Sequence, residues 1–314
     1  MYGEAGSAAF DETRRQQVLD RYRIVDSLPD GAYDDIVQIA STVCEVPIAV
    51  VTLIDRDRQW FKARIGLDAH ETPRSAAVCD VAIRKPGEIL EVHDLSQDAR
   101  FAQYPVVTEL GARFYAGMPL VTPEGAPLGT VCVLDHEPRR LSSEQKQSLE
   151  ALARLAARLM ETRSHAHEQE VAALLSSNTQ AEASGTSAPY TIVLIELQGY
   201  AAAVKQRGER GVEKELHQLE MQLEAALARE IGDTINRVTG SAEFVAVLHG
   251  EDASERLMAL EAILGTQRHR TGLHLLLASA AAESGDEPAQ HVFVRADAAL
   301  SARKDAAAHA LQAA

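Results

Sequence analysis

From Asp34 to Val43 the apolar residues Ile36, Val37, Ile39, Ala40 and Val43 recur at helical spacing, which predicts an amphipathic helix. The next run, PIAVVTLID, is apolar and β-branched and predicts a buried strand ending at Asp55. RQWFKARIG alternates and closes on Gly66, a second strand with a turn. EILEVHD predicts a third strand, and RFYAGMPLVTPEGAPLGTVCVLD two more joined at the turn PEG. The first 18 residues read as a polar N-terminal tail or a short lead-in helix. The expected architecture is α/β in the α+β sense, an antiparallel sheet flanked by helices.

The texture changes at Ser142. SSEQKQSLEALARLAARLMETRSHAHEQEVAALLSS contains neither Gly nor Pro, and Ser142 or Ser143 is placed to cap it, with Glu or Gln a few residues on. Leu149, Leu152, Ala156 and Leu159 follow the three-four spacing of one coiled-coil seam. The seam weakens at Arg163 and Ala166 and resumes irregularly near Val171, Leu174 and Leu175. Two readings stay open: a closing helix with a solvated extension, or a signalling helix through which the chain forms a homodimer. NTQAEASGTSAP then reads as a flexible linker.

From Tyr190 strands and helices alternate again. YTIVLIEL is a strand, and ERGVEKELHQLEMQLEAALAREI an amphipathic helix with Val212, Leu216, Leu219, Leu223, Leu227 and Ile231 on one face. EFVAVLHG is a strand, Ser254 to Leu264 a helix, GLHLLLASAAAE a strand, and QHVFVRADAALSARKDAAAHAL a strand or loop and then a helix. The expected plan of this second α/β unit is ferredoxin-like. The domain boundaries expected are 1–18 for the tail, 19–162 for the first domain, 163–189 for the connecting helix and linker, and 190–314 for the second domain.

Composition narrows the partners. The 314 residues suggest two domains. A formal net charge of -15 and a sequence pI near 5.2 argue against nucleic acid or an anionic membrane as partner. No cationic start followed by an apolar core marks a signal peptide, and the longest apolar runs are too short to span a bilayer. Three sparse cysteines, Cys44, Cys79 and Cys132, fit a reducing compartment, so a cytoplasmic location is expected.

Residues Arg21 to Glu161 resemble a GAF sensor domain, through DSLPDGAYDDI, PIAVVTLIDRDRQWFKARIGL, ETPRS, DLSQDARFAQYPVV, RFYAGMPLVTPEGAPLGTVCVLD and LSSEQKQSLEALA. The subtype is similar to GAF domains placed ahead of bacterial GGDEF and histidine-kinase outputs. That resemblance implies a small-molecule ligand or a redox stimulus, with Trp60, Cys79, Tyr115, Cys132 and Asp135 as pocket candidates. Asp80 rather than His follows Cys79, which weakens a bilin reading. Against the pocket stand ordinary alternatives: Cys132 as a small buried hydrophobe, Trp60 and Tyr115 as core residues, Asp55 and Asp135 as strand-end turn residues.

Residues Tyr190 to Ala307 resemble the GGDEF family of diguanylate cyclases. IVLIELQGYAAAVKQRG matches the family's opening pattern, with Glu196 at its first Asp and Gly208 at its closing Gly. GSAEF, Gly240, Ser241, Ala242, Glu243 and Phe244, stands where the family has GGDEF or GGEEF, and RADAALSARK matches the closing block with Lys304 retained. The resemblance implies joining two GTP molecules with divalent metal on their phosphates. Ala242 stands where the family supplies a metal-binding carboxylate, and Ser241 where a second Gly lets backbone approach phosphate. Glu196 is longer than the family's Asp by one methylene. The family's guanine-reading Asn falls on Val204, the next Asp becomes Lys205, and Glu213 stands near a second guanine contact. The RxxD inhibition motif is absent in that form, since Arg229 and Asp233 are one residue too far apart. Loss of one preorganised group costs at least ~10²-fold in rate, and these losses compound.

The expectation is therefore a degenerate GGDEF domain without catalysis, acting as a regulatory or partner-binding output toward a GGDEF, EAL or other signalling protein. Glu196 and Glu243 are its residual metal candidates, and Glu213 and Lys304 its nucleotide candidates. No cofactor is assigned, and Mg²⁺ enters only if this domain binds nucleotide. The alternative is an active cyclase with altered metal ligation through Glu196 and Glu243.

Overall fold

The computed structural model of the chain describes residues 11–179, 189–239 and 241–312. They fall into two compact units, Met1–Val25 with Pro29–Ser164, and Asp26–Leu28 with His165–Ala314.

The first unit begins with helix α1, Glu12–Arg21, and helix α2, Gly31–Cys44. Strands β1, Ile48–Ile54, β2, Arg58–Ile65, and β3, Glu71–Pro73, follow, and then the short helix α3, Val78–Ala82. Strand β4, Leu90–Val92, helix α4, Pro105–Thr108, and strands β5, Phe114–Val121, and β6, Pro127–Asp135, lead to the long helix α5, Ser143–Thr179. The sheet order is β3-β2-β1-β6-β5-β4, with every neighbouring pair antiparallel. All seven residues of β1 are buried because both faces of the sheet are covered, which is why its sequence reads as an unbroken apolar run. Ala49, Val51 and Leu53 pack with Val18, Leu19, Ile36, Val37 and Leu149 on one face. Ile48, Val50 and Ile54 pack with Val78, Phe101 and Leu134 on the other.

Local chemistry sets the helix ends. The Asp30 carboxylate accepts from Ala32 N at 3.0 Å and starts α2. Ser142, rather than Ser143, caps α5: its Oγ accepts from Gln145 N at 3.2 Å while Gln145 Oε1 accepts from Ser142 N at 2.9 Å. At Gly129 in β6 the backbone of β1 passes so close that a Cβ would lie 1.8 Å from the Thr52 carbonyl oxygen and 2.8 Å from Leu53 Cα.

Of the two readings of the N-terminal stretch, the described residues from Asp11 on take the lead-in helix, α1, capped by Asp11, with Val18 and Leu19 in the core. Other expectations change here. EILEVHD forms only the three-residue β4, and the polar β3 went unread because it lacks an apolar pattern. The seam residues Leu149, Leu152 and Ala156 are buried in this unit's own core, so packing within the chain already accounts for their spacing.

Lys62 on β2 is 6% exposed, and its ammonium stands 5.2 Å from the centre of the Tyr33 ring. Burial, aided by Arg163 and opposed by Asp30 and Asp34, pushes its pKa down to about 8. A lysine depressed in the fold stabilises least where it is forced to be charged. Its contribution is therefore lost as pH falls through about 8 and is fully present above the unfolded value near 10.4. We expect the stability of the wild type relative to Lys62→Met to rise by up to ~3 kcal/mol across that window. Urea unfolding of both proteins at a series of pH values checks this, and a pH-independent difference would refute it.

The second unit contains strand β7, Tyr190–Gln198, helices α6, Tyr200–Arg207, and α7, Glu209–Ala225, and strands β8, Thr234–Arg237, and β9, Glu243–His249. Helix α8, Ala253–Thr271, strand β10, His274–Ala281, and helix α9, Ala289–Gln312, complete it. The antiparallel order β10-β7-β9-β8 places the first and third strands at the centre, the βαββαβ plan of ferredoxin-like folds. Val193, Ile195, Leu197, Phe244 and Ala246 face α7 and α8 through Val212, Leu216, Leu219 and Leu260. Ile192, Leu194, Val245 and Val247 face Val292, Ala296 and Leu300 of α9 and Val171 and Leu175 of α5.

Two element readings are corrected. Helix α7 stops at Ala225, and Ile231 lies in a separate 3-10 turn, 48% exposed, outside the buried face. QHVFVR is helical from its start. Its β-branched and aromatic run suggested a strand, but Val292, Ala296 and Leu300 are buried at four-residue spacing. Among the described residues, no helix is long and apolar enough to cross a membrane.

Candidate functional site

In the second unit the turn between β8 and β9 carries the signature. Gly240 lies outside the described residues. Around it, three backbone donors already have partners. Ser241 N donates to the Val238 carbonyl at 3.2 Å. Glu243 N donates to Ser241 Oγ at 3.2 Å, and that hydroxyl donates to the Val238 carbonyl at 3.0 Å. Thr239 N donates to the Glu170 carboxylate at 2.7 Å. A carboxylate of α5 thus sits on an amide where a phosphate cradle would need an open one. Ala242 is 6% exposed and packs in the apolar cluster with Phe244.

Strand alternation places Glu196 and Glu243 on the same face, directly opposite each other in the β7–β9 ladder. Like charges so placed repel, and each has its own partner. Lys304 Nζ of α9 lies 2.8 Å from Glu196 Oε1, which also accepts from Gln198 Nε2 at 2.9 Å. His167 Nε2 of α5 lies 2.7 Å from Glu243 Oε2, and the Glu243 side chain is 3% exposed. Among the described residues no group of three or more His, Cys, Asp or Glu side chains stands ready to hold a metal ion. The residues present do not fit Mg²⁺, which needs open oxygen ligands.

The nucleotide candidates are similarly engaged. Arg237 grips Glu213 with two hydrogen bonds of 2.8 and 2.7 Å, and Tyr200 Oη donates to Glu213 Oε1 at 2.7 Å. The guanidinium holds the Glu213 carboxyl below its usual range. Lys304 is spent on Glu196 rather than held toward an open groove. Asp233 is wholly buried: its carboxylate accepts from Ala228 N at 3.0 Å and His249 N at 2.8 Å. Arg256 Nε approaches Asp233 Oδ2 at 2.6 Å by charge rather than through an aligned hydrogen bond. His167, Glu170 and Arg237 were not read from sequence. Their roles depend on tertiary packing, and no local pattern marks them.

In the first unit the structure brings together three of the five pocket candidates. Cys79 Sγ and Cys132 Sγ lie 3.7 Å apart, and Tyr115 Oη donates to Cys79 Sγ at 3.2 Å. Gly117, opposite Cys132 in the ladder, leaves the space for the phenol: a Cβ there would lie 2.2 Å from Tyr115 Oη. Trp60 is not with them but on the opposite face, in the cluster of Val51 and Ala63. A register shift between Val51 and Thr52 moves Trp60 onto the face of Ala63 and leaves Phe61 facing the thiols' cluster. Asp135 also leaves the group. It ends β6 on the parity of Val133, accepts from Glu137 N at 3.2 Å and pairs with Arg139.

Comparison with known proteins follows the division between the units. The family model for the GAF domain matches residues 29–160. No model of the GGDEF family matches. The cyclic di-GMP phosphodiesterase PA2567 of Pseudomonas aeruginosa is 42% identical over 147 residues, covering 46% of this chain. The chain spans only 25% of the length of that relative. Among solved structures, a domain of a two-component sensor histidine kinase protein from Sinorhizobium meliloti 1021 is 18% identical, with a TM-score of 0.34 over 42% of this chain and 90% of that one. A microbial GGDEF domain studied with cyclic di-GMP is 21% identical, with a TM-score of 0.36 over 44% of this chain and 83% of that one. On its antiparallel sheet flanked by helices and on the family match, the segment spanning residues 29–160 is a GAF domain.

Proposed function

We propose that this chain is a signalling protein in which the GAF domain senses a small ligand or a redox state and a catalytically inactive, GGDEF-like second unit serves as a regulatory or partner-binding output in cyclic di-GMP signalling. The observation that carries this reading is that three amides of the turn are already engaged. The amides of Thr239, Ser241 and Glu243 are bound by the protein's own atoms, and one partner is an anion, Glu170. Where the cyclase family uses metal between carboxylates, this unit answers Glu196 with Lys304 and Glu243 with His167. The identity shared with a cyclic di-GMP phosphodiesterase supports the signalling context. Partners of the output unit are a GGDEF, EAL or other signalling protein. A homodimer through α5 would use surface other than Leu149, Leu152 and Ala156, such as Leu155, which is 46% exposed.

The opposed reading is an active diguanylate cyclase using Glu196 and Glu243 for metal, favoured only by their facing positions in the ladder. Incubation of the full chain with GTP and Mg²⁺, then Mn²⁺, with chromatography of the products, separates the two. We expect no cyclic di-GMP. Product above background that disappears in Glu243→Gln would overturn the inactive reading.

A further inference from the structure

Cys79 and Cys132 are 2% and 1% exposed and belong to one apolar cluster, yet they are not two isolated hydrophobes. Their sulfurs face each other at 3.7 Å, and a hydroxyl from a third element, β5, donates to one of them. A disulfide needs the sulfurs about 2.05 Å apart, so about 1.7 Å of closure is required. Cys132 is fixed in the middle of the sheet, between Val50 of β1 and Gly117 of β5. Cys79 sits on the five-residue helix α3, outside the hydrogen-bonded ladder of the sheet.

The pair is also chemically unequal. Burial opposes ionisation of Cys79, but its hydrogen bonding with Cys132 and the bond donated by Tyr115 outweigh it and hold the thiol below its usual value. Cys132 is pushed well above its usual value, by its bond with Cys79 first and by burial second. For Cys44, burial alone raises the thiol to about 11. One thiol is therefore prepared as nucleophile and the other as its partner.

We propose that Cys79 and Cys132 form a reversible dithiol–disulfide pair through which the GAF domain responds to hydroperoxides. The Cys79 sulfur attacks the outer oxygen of the peroxide. An S–O bond forms, the O–O bond breaks, and the departing alkoxide takes the thiol proton and leaves as an alcohol, or as water from hydrogen peroxide. The resulting sulfenic acid is attacked by the Cys132 sulfur. The S–S bond forms, the S–O bond breaks, and hydroxide leaves as water with the Cys132 proton. Two thiols lose two electrons in total, and one peroxide gains them. A small dithiol reverses the change by exchange. This gives the stimulus of the proposed sensor a chemical class. It rests on the sensing half of that reading and not on the inactivity of the second unit, which the GTP assay tests separately.

The test uses the full chain, reduced, freed of reductant and exposed while folded to hydrogen peroxide. It is then unfolded in N-ethylmaleimide, digested without reductant and analysed by mass spectrometry. The expected product is a Cys79–Cys132 linked peptide with Cys44 alkylated, reversed by dithiothreitol. Three alkylated cysteines, or a linkage that involves Cys44, would overturn the proposal. In Cys132→Ala the reaction should stop at the sulfenic acid, so dimedone present during exposure should label Cys79 alone. An unlabelled Cys79 thiol in that variant, if folded, would count equally against it.

Discussion

Replacing Gly129 with alanine is expected to unfold the first unit, at a cost of about 3 kcal/mol or more. The added methyl would lie 1.8 Å from the Thr52 carbonyl oxygen and 2.8 Å from Leu53 Cα, both main-chain atoms. A side chain can swing away from a clash, but a central strand paired on both sides cannot. β1 is held by β2 on one edge and β6 on the other, so its retreat would open hydrogen bonds across the sheet. The chain contains one tryptophan, Trp60, buried in this unit's core, so its fluorescence reports this unit's unfolding. A red-shifted emission and a lost or lowered melting transition are expected. Emission and melting temperature equal to the wild type would show that the strands separate at little cost.

The second large effect is expected at Asp233. Its side chain is wholly buried and satisfies two backbone amides besides the charge of Arg256, itself 14% exposed. Asp233→Ala removes the anion and leaves a largely buried guanidinium without its counter-charge, still held to the His249 carbonyl, and two amides without their acceptor, at a cost of about 3–5 kcal/mol. Removing both charges should hurt less than the single change predicts, because the stranded cation is gone. Chemical unfolding of Asp233→Ala, Arg256→Met and the double variant measures this, with hydrogen exchange in β8 and β9 locating the loss. Strictly additive effects, or a single-variant cost under about 1 kcal/mol, would refute the account.

These two positions show what a sequence makes legible. Strand β1 and helix α7 carry their burial pattern in the spacing of their own apolar residues, and α2 does so in part, since Ile36, Val37 and Ala40 are buried while Ile39 and Val43 are exposed. The antiparallel sheet flanked by helices in the first unit and the ferredoxin-like plan of the second follow from such elements in order, while the GAF resemblance rests on the motif blocks. Gly129 and Asp233 carry no local mark, because a backbone crossing and a buried charge partner are set by residues far along the chain. The thiol pair is similar: Cys79 and Cys132 are 53 residues apart, and their meeting depends on α3 folding onto β6. Trp60 misled for another reason, since a register shift breaks the alternation that its neighbours obey. At the signature, Ala242 and Ser241 marked the departure from the family, but Glu170 and His167, which fill the turn, come from a distant helix.

The filled turn also bears on what a single substitution there could do. Restoring an acid at position 242 by itself would place it in the cluster of Phe244, Leu197 and Ile195, in apolar surroundings and without a partner. It would not release the Thr239 amide from Glu170, nor free Glu243 from His167. A change at position 242 alone therefore adds a buried charge without opening the turn. On the proposed inactive reading, several positions must change together before a metal or a phosphate could enter this turn, so single substitutions leave it closed.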